Sequence, residues 1–325
     1  MQSVLPAEKR AAVQRAILAW YRRGHRDLPW RATRDPYYIL VSEVMLQQTQ
    51  VDRVLPKYLG WLMQYPTLEA LAAAPRAEVI RAWSGLGYNL RAVRLHEIAR
   101  QVVEHHGGRL PKTLDGLLSL KGIGRYTAAA VMCFAHDAPE PVLDTNVRRV
   151  LGRIFAREVP GATEDDRLAW PLAAASLPPE TDTYDWNQAL MDVGATICLS
   201  RTPRCLLCPA QAECTARQVF FAPGEGEMSL AVAEDRASYA AATQKRTRKP
   251  AAVAERFDGS RRWYRGQIVE ALRALPDGGT LFVTELASSL EIDDATVRAL
   301  VVALERDGLA VTQGDGDAAT VALPL

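Results

Sequence analysis

Apolar side chains recur at helical spacing through the first two thirds of the chain, and no stretch there alternates with the period of two that a strand requires. Val51, Val54, Leu55, Tyr58, Leu59 and Leu62 predict one amphipathic helix face. Leu95, Ile98 and Val102 predict a second, on a helix ended by Gly107-Gly108, and Val147, Val150, Leu151, Ile154 and Phe155 predict a third. From Pro223 to residue 260 the chain turns rich in alanine, glycine and charge, with a basic run from Lys245 to Lys249, and reads as a linker. Beyond it, Tyr264, Ile268, Leu272 and Leu275 predict a helix, Val283 to Leu290 a second, and Val297, Leu300, Val301 and Leu304 a third. Strands from Leu309 to Thr312 and Thr320 to Leu323 flank the turn Gly314-Asp315-Gly316-Asp317, and three helices followed by a hairpin make a winged-helix pattern.

Composition adds location and partners. A chain of 325 residues, 48% hydrophobic and 24% charged, can bury a sizeable core and divide into two or three domains. No apolar run approaches the ~20 residues that cross a bilayer. The segment from Met1 to Arg26 is an amphipathic basic helix with no leader-type apolar core, so the expectation is a cytoplasmic, nucleoid-associated protein with no membrane contact. The net charge of +1 hides Lys9, Arg10, Arg15, Arg22, Arg23 and Arg26 facing only Glu8, a local basic surface suited to nucleic acid.

Four of the five cysteines crowd into Cys198-x6-Cys205-x2-Cys208-x5-Cys214, while Cys133 stands alone in an apolar helix. In a reducing compartment that cluster points to metal ligation. One sulfur per iron suits a [4Fe–4S] cluster. Zinc accepts four cysteines too, but its motifs usually come as two close pairs, and here only Cys205 and Cys208 are closely paired. Arg201 and Arg204 lie between the first two ligands, so the pinned loop would offer positive charge to phosphate.

Two glycine turns carry the next signals. Gly122-Ile123-Gly124 between apolar helices is a helix-hairpin-helix candidate whose backbone N–H groups can hold phosphate, although a plain turn would look the same in isolation. Gly85-Leu86-Gly87-Tyr88 precedes a helix with Arg91 and Arg94, and Tyr88 at its tip can either wedge between bases or pack into the turn. Two carboxylates stand in different surroundings. Glu43 lies among Ile39, Leu40 and Leu46, where partial burial would raise its pKa and keep it protonated as a general acid; a glutamate at the edge of the face is the alternative. Asp144 follows Pro141-Val142-Leu143 at the start of a helix, where it is an N-cap and where the helix dipole favours its anion. An acid for a departing base and an anion beside an oxocarbenium-like sugar are what cleavage of an N-glycosidic bond needs.

With these residues in view, the chain resembles the helix-hairpin-helix DNA glycosylases, and within them the MutY-type adenine DNA glycosylases. The resemblance rests on Leu28-Pro29-Trp30-Arg31, Ser42 to Val51, Gly85 to Tyr88, Gly122 to Gly124, Leu143 to Val147 and the four-cysteine spacing, in family order over residues 8–216. It implies a mainly α fold: a six-helix barrel over 29–142 with the hairpin, a cluster domain from 1–28 and 143–222, then the basic linker 223–260 and the winged helix 261–325. It also implies that Glu43 protonates adenine, Asp144 stabilises the sugar and Tyr126 supports the transition state. Trp30, Arg31 and Gln188 would line the base pocket, with Asn146, Gln48, Thr49, Leu86, Tyr88, Gly122 and Gly124 contacting DNA. The partner implied is duplex DNA with a mismatched or oxidised base, bound by a monomer.

Tyr126 stands where strand-cleaving endonuclease III-like relatives carry a lysine, so the expected enzyme is a monofunctional hydrolase. Departures from the family are Asn89, where a second tyrosine is common, and a winged helix in place of the usual C-terminal 8-oxoguanine-recognition domain. From Asp277 to Asp317 that segment sets nine carboxylates against three arginines in the stretch beginning at residue 271, which suits a protein partner or a cover over the cleft at least as well as phosphate. A thymine- or hypoxanthine-directed glycosylase, a bifunctional endonuclease III-like enzyme and a non-enzymatic damage sensor are the rival functions.

Overall fold

The computed structural model describes residues 5–217 and 257–325. Most of the expected linker, residues 223–256, lies outside the described residues. Two compact units divide the chain: residues up to 36 with those from 125, and residues 37–124 with the C-terminal part from 250.

The first unit is helical. It holds α1 (Ala7–Arg23), a 3-10 turn (Pro29–Arg31), α8 (Arg125–His136), α9 (Thr145–Ile154), α10 (Asp166–Ala175) and α11 (Thr183–Thr196). The stripe predicted on α9 is buried throughout and meets Val13, Ile17 and Tyr21 of α1, Leu172 of α10, and Trp186, Leu190 and Val193 of α11 in one core. Lys9 joins Glu158 at 2.9 Å across the same unit. In α8 every residue from Thr127 to Phe134 is buried, because small side chains let neighbours approach on all sides. This helix therefore falls in the first unit, and the unit boundaries at 36/37 and 124/125 depart from the expected domain limits at 28 and 142.

The second unit begins with α2 (Pro36–Leu46), α3 (Val51–Gln64), α4 (Leu68–Ala73), α5 (Arg76–Ala82), α6 (Leu90–His106) and α7 (Leu114–Leu118). Thr67 and Thr113 cap α4 and α7 by accepting from Ala70 N and Gly116 N, and Gly107 ends α6 in the left-handed conformation expected of a glycine there. The face predicted for α3 is corrected in part. Val54, Tyr58 and Trp61 are its buried stripe, while Leu59 is exposed. Trp61 draws the helix round because its ring packs edge-on against Trp83 and Tyr65, at centroid separations of 5.4 and 5.0 Å.

The C-terminal part of this unit comprises α12 (Arg261–Arg273), β1 (Leu281–Phe282), α13 (Val283–Leu290), α14 (Asp294–Arg306), β2 (Val311–Gln313) and β3 (Thr320–Ala322). The expected hairpin is present, and β1 is a strand that the pattern missed because two residues carry no periodicity. The sheet order is β1-β3-β2, all antiparallel, with Leu281 opposite Val321 and Thr312 opposite Val321 on the other side. Its core continues into the rest of the unit: Ile268, Val269 and Leu272 of α12 share a cluster with Ala77 and Ile80 of α5 and Val93 of α6. No helix among the described residues is long and apolar enough to cross a membrane.

His96 of α6 is 3% exposed. Burial, aided by the positive charge of Arg76, pushes its pKa down to about 4. The unfolded chain therefore takes up a proton near pH 6.5 that the folded chain refuses until about pH 4. The stability this neutral imidazole contributes is complete above pH 6.5 and is lost as pH falls towards 4. Urea denaturation across that window should show stability falling with a slope approaching about 1.4 kcal/mol per pH unit from this group, and His96→Gln should flatten it.

Candidate active site and cysteine pocket

Glu43 sits in α2 among consecutive buried residues from Ile39 to Met45 and is itself 5% exposed. The partial burial expected from its neighbours is exceeded. Immediately after α2 the chain turns through Gln47, Gln48 and Thr49, with exposed Gln48 at φ +57°. The second turn of this unit, Gly85 to Tyr88, has φ +83° at Gly85, +69° at Gly87 and +46° at Tyr88. Glycine accepts such angles freely, while Tyr88 does so only because its surroundings hold it. Tyr88 is 44% exposed, whereas Leu86 is buried at 2%, so in this structure Tyr88 and not Leu86 is the apolar group on the surface.

One arginine ties these segments together. Arg91, at the start of α6, is buried, and its Nη1 donates to the carbonyls of Val44, Met45 and Gln47 at 3.0, 2.8 and 2.6 Å. Nη2 donates to Thr49 Oγ1 at 3.0 Å and to the carbonyls of Leu86 and Gly87 at 3.1 Å. Burial pushes its pKa down to about 10, so it stays charged at neutral pH. The sequence places Arg91 on the helix after the Gly85–Tyr88 turn without assigning it a role. The signal was there to find: Arg91 lies on the i, i+4, i+7, i+11 stripe with Leu95, Ile98 and Val102. In the hairpin, Gly122 has φ +111°, and a Cβ there would lie 3.4 Å from Ile98, while Gly124 is open to solvent. Gln101 braces the turn by accepting from Lys121 N at 2.9 Å and donating to Lys121 O at 3.2 Å.

The remaining site residues belong to the first unit. Asp144 caps α9, as expected, accepting from Val147 N at 2.6 Å on Oδ1 and from Asn146 Nδ2 at 2.9 Å on Oδ2. Asn146 Oδ1 accepts in turn from Arg149 Nη2 at 2.9 Å, and Arg149 Nε reaches the carbonyl of Cys198 at 2.7 Å. A chain of hydrogen bonds therefore runs from Asp144 to the first cysteine of the cluster. Half-buried Tyr126 is the second residue of α8.

Trp30 is buried on the 3-10 turn, and the next residue, Arg31, is tied to α11. Its Nε donates to Gln188 Oε1 at 2.8 Å, and Nη1 and Nη2 donate to Asp192 at 3.0 and 2.8 Å. Burial alone would raise the Asp192 carboxyl; the hydrogen bonds and charge of Arg31, with Arg26, outweigh it and hold the pKa below the ordinary range. Asp192 was missed by sequence reasoning, although its place beside Ala189 and Val193 on a buried face marks a charge that needs a partner. With Oε1 engaged by Arg31, the Gln188 amide presents its NH2 in the other direction.

Cys198, Cys205, Cys208 and Cys214 line one pocket with Val150, Ile154, Val193, Ile197, Arg153 and Arg217. Arg153 donates to Cys198 Sγ at 3.4 Å and to the carbonyls of Leu199 and Ser200 at 2.8 Å. Ala216 N, donating to Arg153 O at 3.1 Å, fastens the far end of the loop to α9. Arg201 and Arg204 are exposed, as the sequence suggested. Among the described residues no three His, Cys, Asp or Glu side chains converge on a point as one bound ion requires. Burial pushes the Cys208 thiol to about 11 and the Cys214 thiol to about 12, so thiolates in this pocket need a cationic centre. Cys133 lies elsewhere, buried, with Asn187 Nδ2 donating to its sulfur at 3.3 Å.

Residues 41–171 match the family described as HhH-GPD superfamily base excision DNA repair protein. An adenine DNA glycosylase of Mycolicibacterium smegmatis is 47% identical over 64% of this chain and 70% of its own length. Another, of Mycobacterium tuberculosis, is 40% identical over 79% of this chain and 77% of its own. Among solved structures, a thermostable thymine-DNA glycosylase superposes with a TM-score of 0.61 at 34% identity, covering 65% of this chain and 98% of that one.

Arg91→Ala would leave several buried carbonyls without donors, and we expect a loss of about 3 kcal/mol or more. Urea denaturation measures it, and amide exchange should quicken first in the turns at Gln47–Thr49 and Gly85–Tyr88.

Proposed function

Because this chain belongs to the HhH-GPD superfamily of base excision DNA repair proteins and is a DNA N-glycosylase, similar to adenine DNA glycosylases along most of its length, we propose that it removes adenine mispaired with 8-oxoguanine or guanine. The observation that carries the reading is the contrast between two carboxyls. Glu43 is 5% exposed within the buried run from Ile39 to Met45 of α2, and Asp144 is a double hydrogen-bond acceptor at the start of α9. The first suits a proton donor and the second an anion.

In the proposed reaction the adenine is flipped from the stack into a pocket formed with Trp30, Arg31 and Gln188, the amide NH2 of Gln188 reading the base edge. Glu43 gives its proton to the base, the C1′–N bond breaks, and the bonding electrons leave with adenine. Asp144 stabilises the positive charge that develops on the sugar, with Tyr126 in support. Water then adds to C1′ and returns a proton to Glu43, leaving free adenine and an abasic site. A tyrosine at position 126 offers no amine for a Schiff base, so the strand stays intact. Gln48, Thr49, Tyr88, Asn146 and the hairpin at Gly122 and Gly124 contact the DNA, and Leu86 enters the gap only if its turn opens.

The four cysteines fit a [4Fe–4S] cluster better than zinc, since a four-iron cluster takes one sulfur per iron and does not demand that all four meet at one ion. When bound, the cluster clamps the loop that carries Arg201 and Arg204 towards phosphate. The order helix, strand, helix, helix, strand, strand after residue 260 supports reading this part as a winged-helix domain. We take the chain to act as a cytoplasmic monomer.

A base-release assay on duplexes with adenine opposite 8-oxoguanine, adenine opposite guanine, and thymine opposite guanine tests the substrate. Adenine release should dominate; preferred thymine release, which the likeness to a thymine-DNA glycosylase makes the natural rival, overturns the assignment. Glu43→Gln should slow adenine release by at least about a hundredfold with duplex binding retained, and borohydride should trap no covalent adduct. The purified protein should be brown, absorbing near ~400 nm, and a colourless, zinc-loaded protein would contradict the cluster.

A further inference from the structure

The C-terminal part of the second unit grips the turn that presents Tyr88. Arg262, in the first turn of α12, donates from Nη1 to Tyr88 Oη at 3.3 Å, and its guanidinium lies 5.4 Å from the centre of the Tyr88 ring. The guanidinium of Arg91 lies 5.5 Å from the same ring, so this exposed tyrosine is flanked by two cations. Arg262 also covers Phe257, at 4.8 Å from that ring's centre. One helical stretch further on, Arg273 donates to Asn89 Oδ1 and to the carbonyl of Ile80, both at 2.9 Å. Arg81 completes the attachment through the carbonyl of Leu275 at 3.1 Å and an ion pair with Asp277.

These contacts are more than an apolar docking site needs. The burial of Ile268, Val269 and Leu272 against α5 and α6 already seats α12. Arg261 and Arg262 lie in the first turn of a helix that has no acidic residue there, where positive charge opposes the helix dipole. The arrangement is electrostatically poor for the isolated helix and favourable only with an electron-rich ring or an anion beside it. Asn89 makes the same point from the other side, since its side chain is the anchor for Arg273.

We propose that the C-terminal domain is a brace for the Gly85–Tyr88 turn, and that Arg262 is a positioning residue that holds the Tyr88 ring ready to enter duplex DNA. The proposal rests on the glycosylase reading for what Tyr88 does, but not on which base is removed. It gives the acidic C-terminal domain a role that needs no groove-reading helix, because its effect on DNA passes through Tyr88.

The test uses the full chain and a duplex with a tetrahydrofuran abasic analogue, which carries no base to excise, opposite 2-aminopurine. Arg262 is exposed, so Arg262→Ala leaves the core untouched; its thermal midpoint serves as the check on folding. Arg262→Ala should weaken binding by about threefold to tenfold and reduce the 2-aminopurine fluorescence change on binding, while Arg262→Lys, keeping a charge and a donor, recovers part of both. In a Tyr88→Ala background the same Arg262→Ala change should cost less than about twofold, because the two side chains act as one unit. An equal cost in both backgrounds, or an unchanged fluorescence signal in the single variant, overturns the brace. A chain that shows the coupling yet releases no adenine would sink the adenine assignment and leave the brace standing.

Discussion

The buried guanidinium of Arg91 is the constraint on which the two turns of the second unit, Gln47–Thr49 and Gly85–Tyr88, depend. Two turns with positive φ angles leave carbonyls pointing inward, and Arg91 donates to those of Gln47, Leu86 and Gly87. A planar cation with five N–H groups can serve several such carbonyls at once, which a lysine or a neutral side chain cannot. Arg91 therefore sets the separation between the end of the Glu43 helix and the turn bearing Tyr88. The same device recurs in the first unit, where Arg149 and Arg153 hold the cysteine loop and Arg31 holds Gln188. Charged groups are expensive to bury, and each of these is retained because its partners are backbone carbonyls or a paired carboxylate.

Asp144 shows how one side chain meets a structural and a chemical demand together. As the cap of α9 it satisfies an N–H that the helix cannot, and that bond fixes the rotamer of its carboxylate. The second oxygen is fixed by Asn146, which Arg149 orients, and Arg149 is itself fastened to the cysteine loop. In the proposed reaction the carboxylate must not reorient as charge develops on the sugar, and preorganisation of this kind is where electrostatic catalysis gains most. The cysteine loop thus supports the reaction site by position, without any need to change its own chemistry.

The C-terminal domain gives a different lesson. Its carboxylate-rich composition discouraged a nucleic-acid role, yet its first helix places arginines on the very turn that a DNA-reading surface would use. Net charge over a segment averages away the few residues at an interface. Asn89, a departure from the family pattern on sequence grounds, becomes intelligible once Arg273 is seen beside it.

By itself the sequence determined what depends on local spacing. The helices of α6, α9 and the C-terminal part follow from apolar periodicity, and the caps at Asp144 and Gly107 from residue type. Those features are encoded within one or two turns of chain, so no distant partner can reverse them. The tertiary structure decided everything that depends on who comes to meet a side chain. It turned the α3 face towards Trp61, buried Leu86, and made Arg91 and Asp192 interior charges, the first reaching the carbonyl of Gln47 across 44 residues and the second paired with Arg31 across 161. It also set α12 against α5 and α6 across a segment of nearly two hundred residues. Such contacts are sums of packing and desolvation over surfaces assembled from separate stretches, and no window of neighbouring residues carries them.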